Sequence, residues 1–137
     1  FLRGPEEERA LLLECAARIR AARGVISFFG KSFDRHRLED KMRLHKVAPP
    51  FADRPHLDLD YPCRRLYRAA LPNCRLVTLE RALCGVERDH DLSGAFAPSA
   101  WFDFLAGRPH VLEDVFRHNQ DDVLSLVTLH AHLGEAR

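Results

Sequence analysis

No apolar run in this chain approaches the ~20 residues that cross a bilayer as a helix, so a membrane-spanning protein is not expected. Internal repeats and low-complexity tracts are missing too, which argues against a solenoid or a linker-rich architecture. The four cysteines, Cys15, Cys63, Cys74 and Cys84, show no Cys-x-x-Cys spacing. They read as reduced thiols of a cytoplasmic protein rather than as a zinc site. None of the serines lies in a Gly-x-Ser-x-Gly elbow, and Gly30-Lys31-Ser32 lacks the earlier glycine of a nucleotide phosphate-binding loop.

What is there is an uneven distribution of charge. The 137 residues carry a net charge of only +1, yet residues 31–81 hold 12 Lys or Arg against 7 Asp or Glu, and residues 82–137 hold 4 against 9. A basic middle beside an acidic end suits a polyanionic partner handled together with cations, because the first attracts phosphates and the second recruits metal. Arg64, Arg65, Arg68 and Arg75 are the candidate phosphate contacts. A solvated helix face would carry the same arginines.

Two segments carry candidate chemistry. His118-Asn119-Gln120-Asp121-Asp122 sets an imidazole and a carboxylate four residues apart, hence on one face of a helix. Such a pair can hold a divalent cation and take a proton from an attacking water, or can simply be a solvated face. The stretch Val25-Ile26-Ser27-Phe28-Phe29-Gly30-Lys31-Ser32-Phe33-Asp34 reads as strand, turn and helix start. Ligands collect past the carboxyl ends of strands in open α/β sheets, which places Asp34 toward a site. The same carboxylate would also stabilise the positive end of the helix it begins.

The remaining pattern gives an α/β chain rich in helix. A helix over residues 6–22 has proline and glutamates at its start and Arg23-Gly24 at its end. A strand is expected at 25–29, a helix at 34–45 with Leu38, Met42 and His45 on one face, a brief strand at 56–59 and a helix from Asp60 to about Arg68. Thr78 reads as the N-cap of a short helix stopping near Gly85, and residues 86–97 as a loop. Trp101, Phe102 and Leu105 are expected as core in a helix over 98–106. In a last helix, 111–133, Val115, Phe116, Val123, Leu126, Val127 and His130 form an apolar side that packs on the sheet, with Asp122 next to it.

With the 25–34 segment, His56-Leu57-Asp58, Cys74-Arg75-Leu76-Val77-Thr78-Leu79-Glu80 and His118-Asn119-Gln120-Asp121-Asp122-Val123-Leu124-Ser125-Leu126 in this order, the chain resembles the YprB-like ribonuclease H-like family of the DEDD exonuclease superfamily. The resemblance covers nearly all of residues 1–137, read as one exonuclease domain. It implies the C-terminal part of a ribonuclease H-like fold, with two short parallel strands and the first three strands missing. It also implies a metal-dependent nuclease, a 3′–5′ exonuclease acting on DNA or RNA by a two-metal mechanism with Mg²⁺ or Mn²⁺. Asp34 and Asp122 match metal-binding aspartates of the family, and His118 matches its proton acceptor. Lys31, Ser32 and Asn119 join the four arginines as expected nucleic-acid contacts.

Two departures from the family stand out. Phe29 occupies a position where the family usually has asparagine, so a polar contact near the site is expected to be missing. The family's Asp-x-Glu pair, carried on its first strand upstream of a segment like Phe1 to Glu8, is absent. The chain is therefore read as incomplete at its N-terminus, active in the intact protein and largely inactive alone. The alternative is a nucleic-acid-binding module with the same fold and no catalysis.

Overall fold

The computed structural model describes residues 2–88 and 94–135. Among them are six α-helices and a two-stranded parallel sheet, the helix-rich α/β content expected of a ribonuclease H-like fold. The chain divides into two compact units, Phe1–Leu66 and Tyr67–Arg137.

In the first unit a short 3-10 turn, Pro5–Glu7, leads into α1, Glu8–Ala21. The proline presets the helical φ where no amide hydrogen is needed. Leu12 and Ala16, one turn apart on α1, bury against Met42 of α2 (Asp34–Leu44) and Val47, with Cys15 and Leu38 at the margin. Glu8 ties the two helices together, reaching Lys41 Nζ at 2.8 Å and His45 Nε2 at 2.6 Å.

Helix α2 is the crossover between β1, Val25–Ser27, and β2, His56–Asp58, which pair in parallel with Ser27 opposite Asp58. The ladder is prolonged at both ends, where Val25 donates to Pro55 O and Leu59 donates to Ser27 O, each at 2.8 Å. Strand β1 stops at Ser27, two residues short of the expected 25–29. Phe29 has φ +59°, a left-handed conformation that no strand accommodates. Helix α3, Asp60–Tyr67, then begins directly behind β2, with Leu59 just before it and its own Cys63 both buried.

The second unit contains α4 (Leu76–Cys84), α5 (Ala97–Leu105) and α6 (Leu112–Glu135). Thr78 lies inside the first turn of α4 rather than at its N-cap, which is Arg75. Asn73 Oδ1 does the capping work, accepting from the Arg75 amide at 3.0 Å and from Thr78 Oγ1 at 2.7 Å. Gly85 ends the helix in the left-handed conformation, φ +66°, a C-terminal position that glycine takes at little cost. The loop expected over 86–97 ends earlier, since Gly94–Phe96 form a 3-10 turn into α5; its residues 89–93 lie outside the described residues.

Both expectations about the late core are corrected. On α5 it is Ala100 that is buried, while Phe102 and Leu105 are exposed and Trp101 is partly covered. On α6 the expected apolar side is largely open: Phe116, Val123, Val127 and His130 are exposed, and Val115 and Leu126 are half-buried. The packed stripe runs instead through His118, Asp122, Ser125 and Leu129, spaced four, three and four residues apart, as one helical face requires. It faces α4, whose Leu79 and Glu80 are both wholly buried. Part of the α4–α6 interface is filled by polar groups, Glu80 of α4 and Ser125 and Asp122 of α6, which an apolar pattern does not trace.

Candidate active site

The turn after β1 is held by a single carboxylate. Asp58, 2% exposed at the end of β2, accepts the backbone N–H of Phe29 at 2.7 Å, of Lys31 at 2.8 Å and of Asp60 at 3.2 Å. A carboxylate is the natural occupant of such a concavity of amides, which otherwise attracts phosphate. With those amides spent on Asp58, the Gly30-Lys31-Ser32 turn has no cradle for a nucleotide phosphate, consistent with its missing first glycine. Gly30 is required by packing: a Cβ there would lie 2.5 Å from Ser27 Cβ and 2.6 Å from Ser27 Oγ. Ser27 Oγ in turn is 2.8 Å from His56 Nε2, so the histidine of the His56-Leu57-Asp58 motif braces the same turn. Partial burial, then the charge of Lys31, holds the imidazole below its ordinary pKa and favours its neutral form.

This scaffold delivers Asp34 to the first turn of α2, where its side chain is exposed. Partial desolvation, and then the charge of nearby Asp58, push its carboxyl above the usual aspartate range. Both effects disfavour an extra negative charge, and a bound cation would relieve them.

In the second unit the sequence pair His118 and Asp122 sits one turn apart on α6, with His118 Nε2 3.4 Å from Asp122 Oδ2. Neither stands alone. Arg88, 6% exposed, donates through Nε to Glu80 Oε1 at 2.6 Å and through one terminal nitrogen to Glu80 Oε2 at 2.9 Å. That same nitrogen donates to Asp122 Oδ1 at 2.7 Å, and the other terminal nitrogen is 3.4 Å from His118 Nδ1. Ser125 Oγ donates to Glu80 Oε2 from the α6 side. The bidentate bond to Glu80 outweighs the cost of burial and raises the guanidinium further above its ordinary pKa.

A guanidinium only donates, so toward Arg88 the Nδ1 of His118 can serve only as an acceptor. Glu80 and Ser125 stand in the motifs that carry the family resemblance but had no expected role, and Arg88 was not singled out in the sequence. A glutamate directly after Leu79, in a segment 76–83 that also holds Leu76, Val77, Ala82 and Leu83, was the available signal, since a buried charge requires a partner.

The expected nucleic-acid contacts fall in both units, Lys31, Ser32, Arg64 and Arg65 in the first and Arg68, Arg75 and Asn119 in the second. Lys31 is half-buried and the others are exposed. Arg64 is already committed in part: its Nε reaches both oxygens of buried Asp60, at 2.8 and 2.7 Å.

Among the described residues no group of three or more His, Cys, Asp or Glu side chains is placed to hold a metal ion. The donors on Asp34 and Asp122 are hard oxygens of the kind Mg²⁺ and Mn²⁺ take. Each suits such an ion as one contributor, and neither by itself completes a coordination sphere. No described helix is long and apolar enough to cross a membrane, and all four cysteines are free.

Residues 1–134 match the family model of the RNase_H superfamily. The uncharacterized protein YprB of Bacillus subtilis (strain 168) is 32% identical over 113 residues, 81% of this chain. The chain spans 27% of the length of that relative. No solved structure matches.

Proposed function

This chain belongs to the RNase_H superfamily, and on that premise we propose that it is the catalytic part of a metal-dependent nuclease, a 3′–5′ exonuclease of DEDD type acting on DNA or RNA. Asp34 and Asp122 are its proposed Mg²⁺ or Mn²⁺ ligands, and His118 its proton acceptor. The observation that carries the reading is the placement of His118 and Asp122 side by side on the packed face of α6, held there by a buried ion pair. A solvated helix face would show neither burial nor such bracing.

A bound divalent ion would supply charge neutralisation at the scissile phosphate and a more acidic water. Everything else falls to the chain. Exposed Arg65, Arg68 and Arg75, with Lys31, Ser32 and Asn119, attract and align the phosphate backbone. His118 takes a proton from the attacking water, for which one ring nitrogen must exchange its present neighbour, Arg88 or Asp122, for that water.

The test is degradation of 5′-labelled oligonucleotides by the full-length protein with Mg²⁺ or Mn²⁺. A ladder shortening from the 3′ end is expected, abolished by Asp122→Asn and slowed roughly 10²–10⁴-fold by His118→Ala, with binding retained in both. Cleavage indifferent to Asp122→Asn overturns the mechanism. Binding without any cleavage points to the inactive module instead.

A further inference from the structure

Arg88 invites the obvious reading of a phosphate-binding arginine, and its surroundings exclude it. The side chain is 6% exposed and its charge is shared between Glu80 and Asp122, at 2.6 to 2.9 Å. Nor is it a placeholder that a cation would expel. The edge formed by Nε and one terminal nitrogen is locked onto Glu80, which is wholly buried and held from behind by Ser125. Leaving would strand a buried carboxylate, so the guanidinium stays where Glu80 puts it.

The consequence falls on Asp122. One of its oxygens, Oδ1, is bound at 2.7 Å by a group anchored on buried Glu80, and the other, Oδ2, lies on the His118 side. Resting on the nuclease reading of Asp122 and His118, we infer that Arg88 is a positioning residue, clamping Asp122 by Oδ1 so that Oδ2 alone is offered to a cation. The chain of contacts from Ser125 through Glu80 and Arg88 to Asp122 sets the rotamer of the ligand. Outer partners of this sort orient a metal-binding carboxylate and fix how many of its oxygens can bind.

Mn²⁺ binding to the full-length protein, followed by the paramagnetic resonance of the free ion, tests the clamp apart from turnover. Arg88→Lys keeps the charge but not the planar fork, and should weaken Mn²⁺ binding by about 10–100-fold. Because that variant can also lose stability, the paired change Glu80→Met with Arg88→Met removes both buried charges together and keeps apolar volume. It should fold and show the same weakening. In turnover, the loss in both variants should appear in kcat at low Mn²⁺, be restored by saturating Mn²⁺, and leave KM for the oligonucleotide unchanged. A defect of folding alone would lower activity at every metal concentration.

Asp122→Asn separates the two layers of the argument. If it abolishes Mn²⁺ binding while a folded Glu80→Met/Arg88→Met protein binds as the wild type does, the clamp is wrong and the site stands. If Asp122→Asn leaves Mn²⁺ binding untouched, the site itself is wrong and the clamp falls with it.

Discussion

Asp58 accepts the backbone N–H of Phe29 at 2.7 Å, and the residue so held has φ +59°. The two facts belong together: the amide must point inward to the carboxylate, and the left-handed turn is what points it there. Phenylalanine is a poor occupant of that conformation, because its Cβ crowds the backbone, whereas asparagine and glycine adopt it readily.

Phe29→Asn should therefore stabilise the protein, by about 1 kcal/mol, the usual cost of left-handed backbone in a residue of this kind. The side chain is exposed, so little packing is lost. Urea denaturation decides the matter. A midpoint lowered by the substitution would mean that the Phe29 ring contributes more than its backbone costs. The asparagine expected at this position from the family resemblance thus has a backbone reason, and a missing polar contact to substrate is not needed to explain it.

Asp58→Asn leaves one amide group facing N–H donors, so at least one of the three backbone bonds is lost in a buried place. An unsatisfied buried donor costs about 1–3 kcal/mol, more when the lost partner was charged. The turn over residues 28–33 should loosen with it. Amide exchange of Phe29 and Lys31 reads this out directly, and protection unchanged from wild type would remove Asp58 from its role.

How much of this was legible in the residues follows from which forces leave a periodic trace. The helices and both strands announced themselves through apolar spacing, glycine stops and proline starts, and the 3.6-residue period put His118 and Asp122 on one face. What the pattern misassigned is the burial of α6. Leu129 is apolar and buried, but His118, Asp122 and Ser125 share its stripe, and a polar stripe reads as solvent-facing unless its partners are known. Those partners, Glu80 and Arg88, lie 42 and 34 residues before Asp122, and no local rule links them. Asp58 was legible as part of a motif and illegible as a clamp, because its partners are backbone amides that any sequence supplies.

The Glu80 and Arg88 pair makes an asymmetric prediction about stability. Arg88→Met alone strands a buried carboxylate and should cost about 3–5 kcal/mol, whereas Glu80→Met with Arg88→Met should recover most of the loss. Denaturant midpoints of the three proteins measure this. Equal destabilisation by the single and the double change would show that the pair is not energetically coupled.

Two adjacent arginines on α3 should behave differently toward nucleic acid. Arg64 has its Nε on both oxygens of Asp60, while Arg65 is exposed, its side chain making no hydrogen bond or ion pair among the described residues. Arg65→Ala should weaken oligonucleotide binding and reduce the slope of log affinity against log salt by about 1, as loss of one phosphate contact does. Arg64→Ala should change that slope little and act mainly through Asp60. Fluorescence anisotropy across a salt series distinguishes them, and identical slopes for both variants would refute the assignment.

Glu8 gives the protein a definite acid sensitivity. Its hydrogen bond with Lys41, then that with His45, holds the carboxyl below its ordinary value of 4.5. A depressed folded-state pKa contributes stability that is fully present above the unfolded value and is lost as pH falls through the folded one. Near neutrality Glu8→Gln should thus lower stability by about 0.5–1 kcal/mol, the discount appropriate to a partly exposed pair whose lysine lies in solvent. As the pH drops below 4.5 the wild-type carboxyl takes up its proton, comes to resemble the amide, and the two denaturation curves should converge. Urea melts of both proteins between pH 7 and pH 3 provide the comparison; a gap that stays constant across that window would show that Glu8 joins α1 to α2 by shape and not by charge.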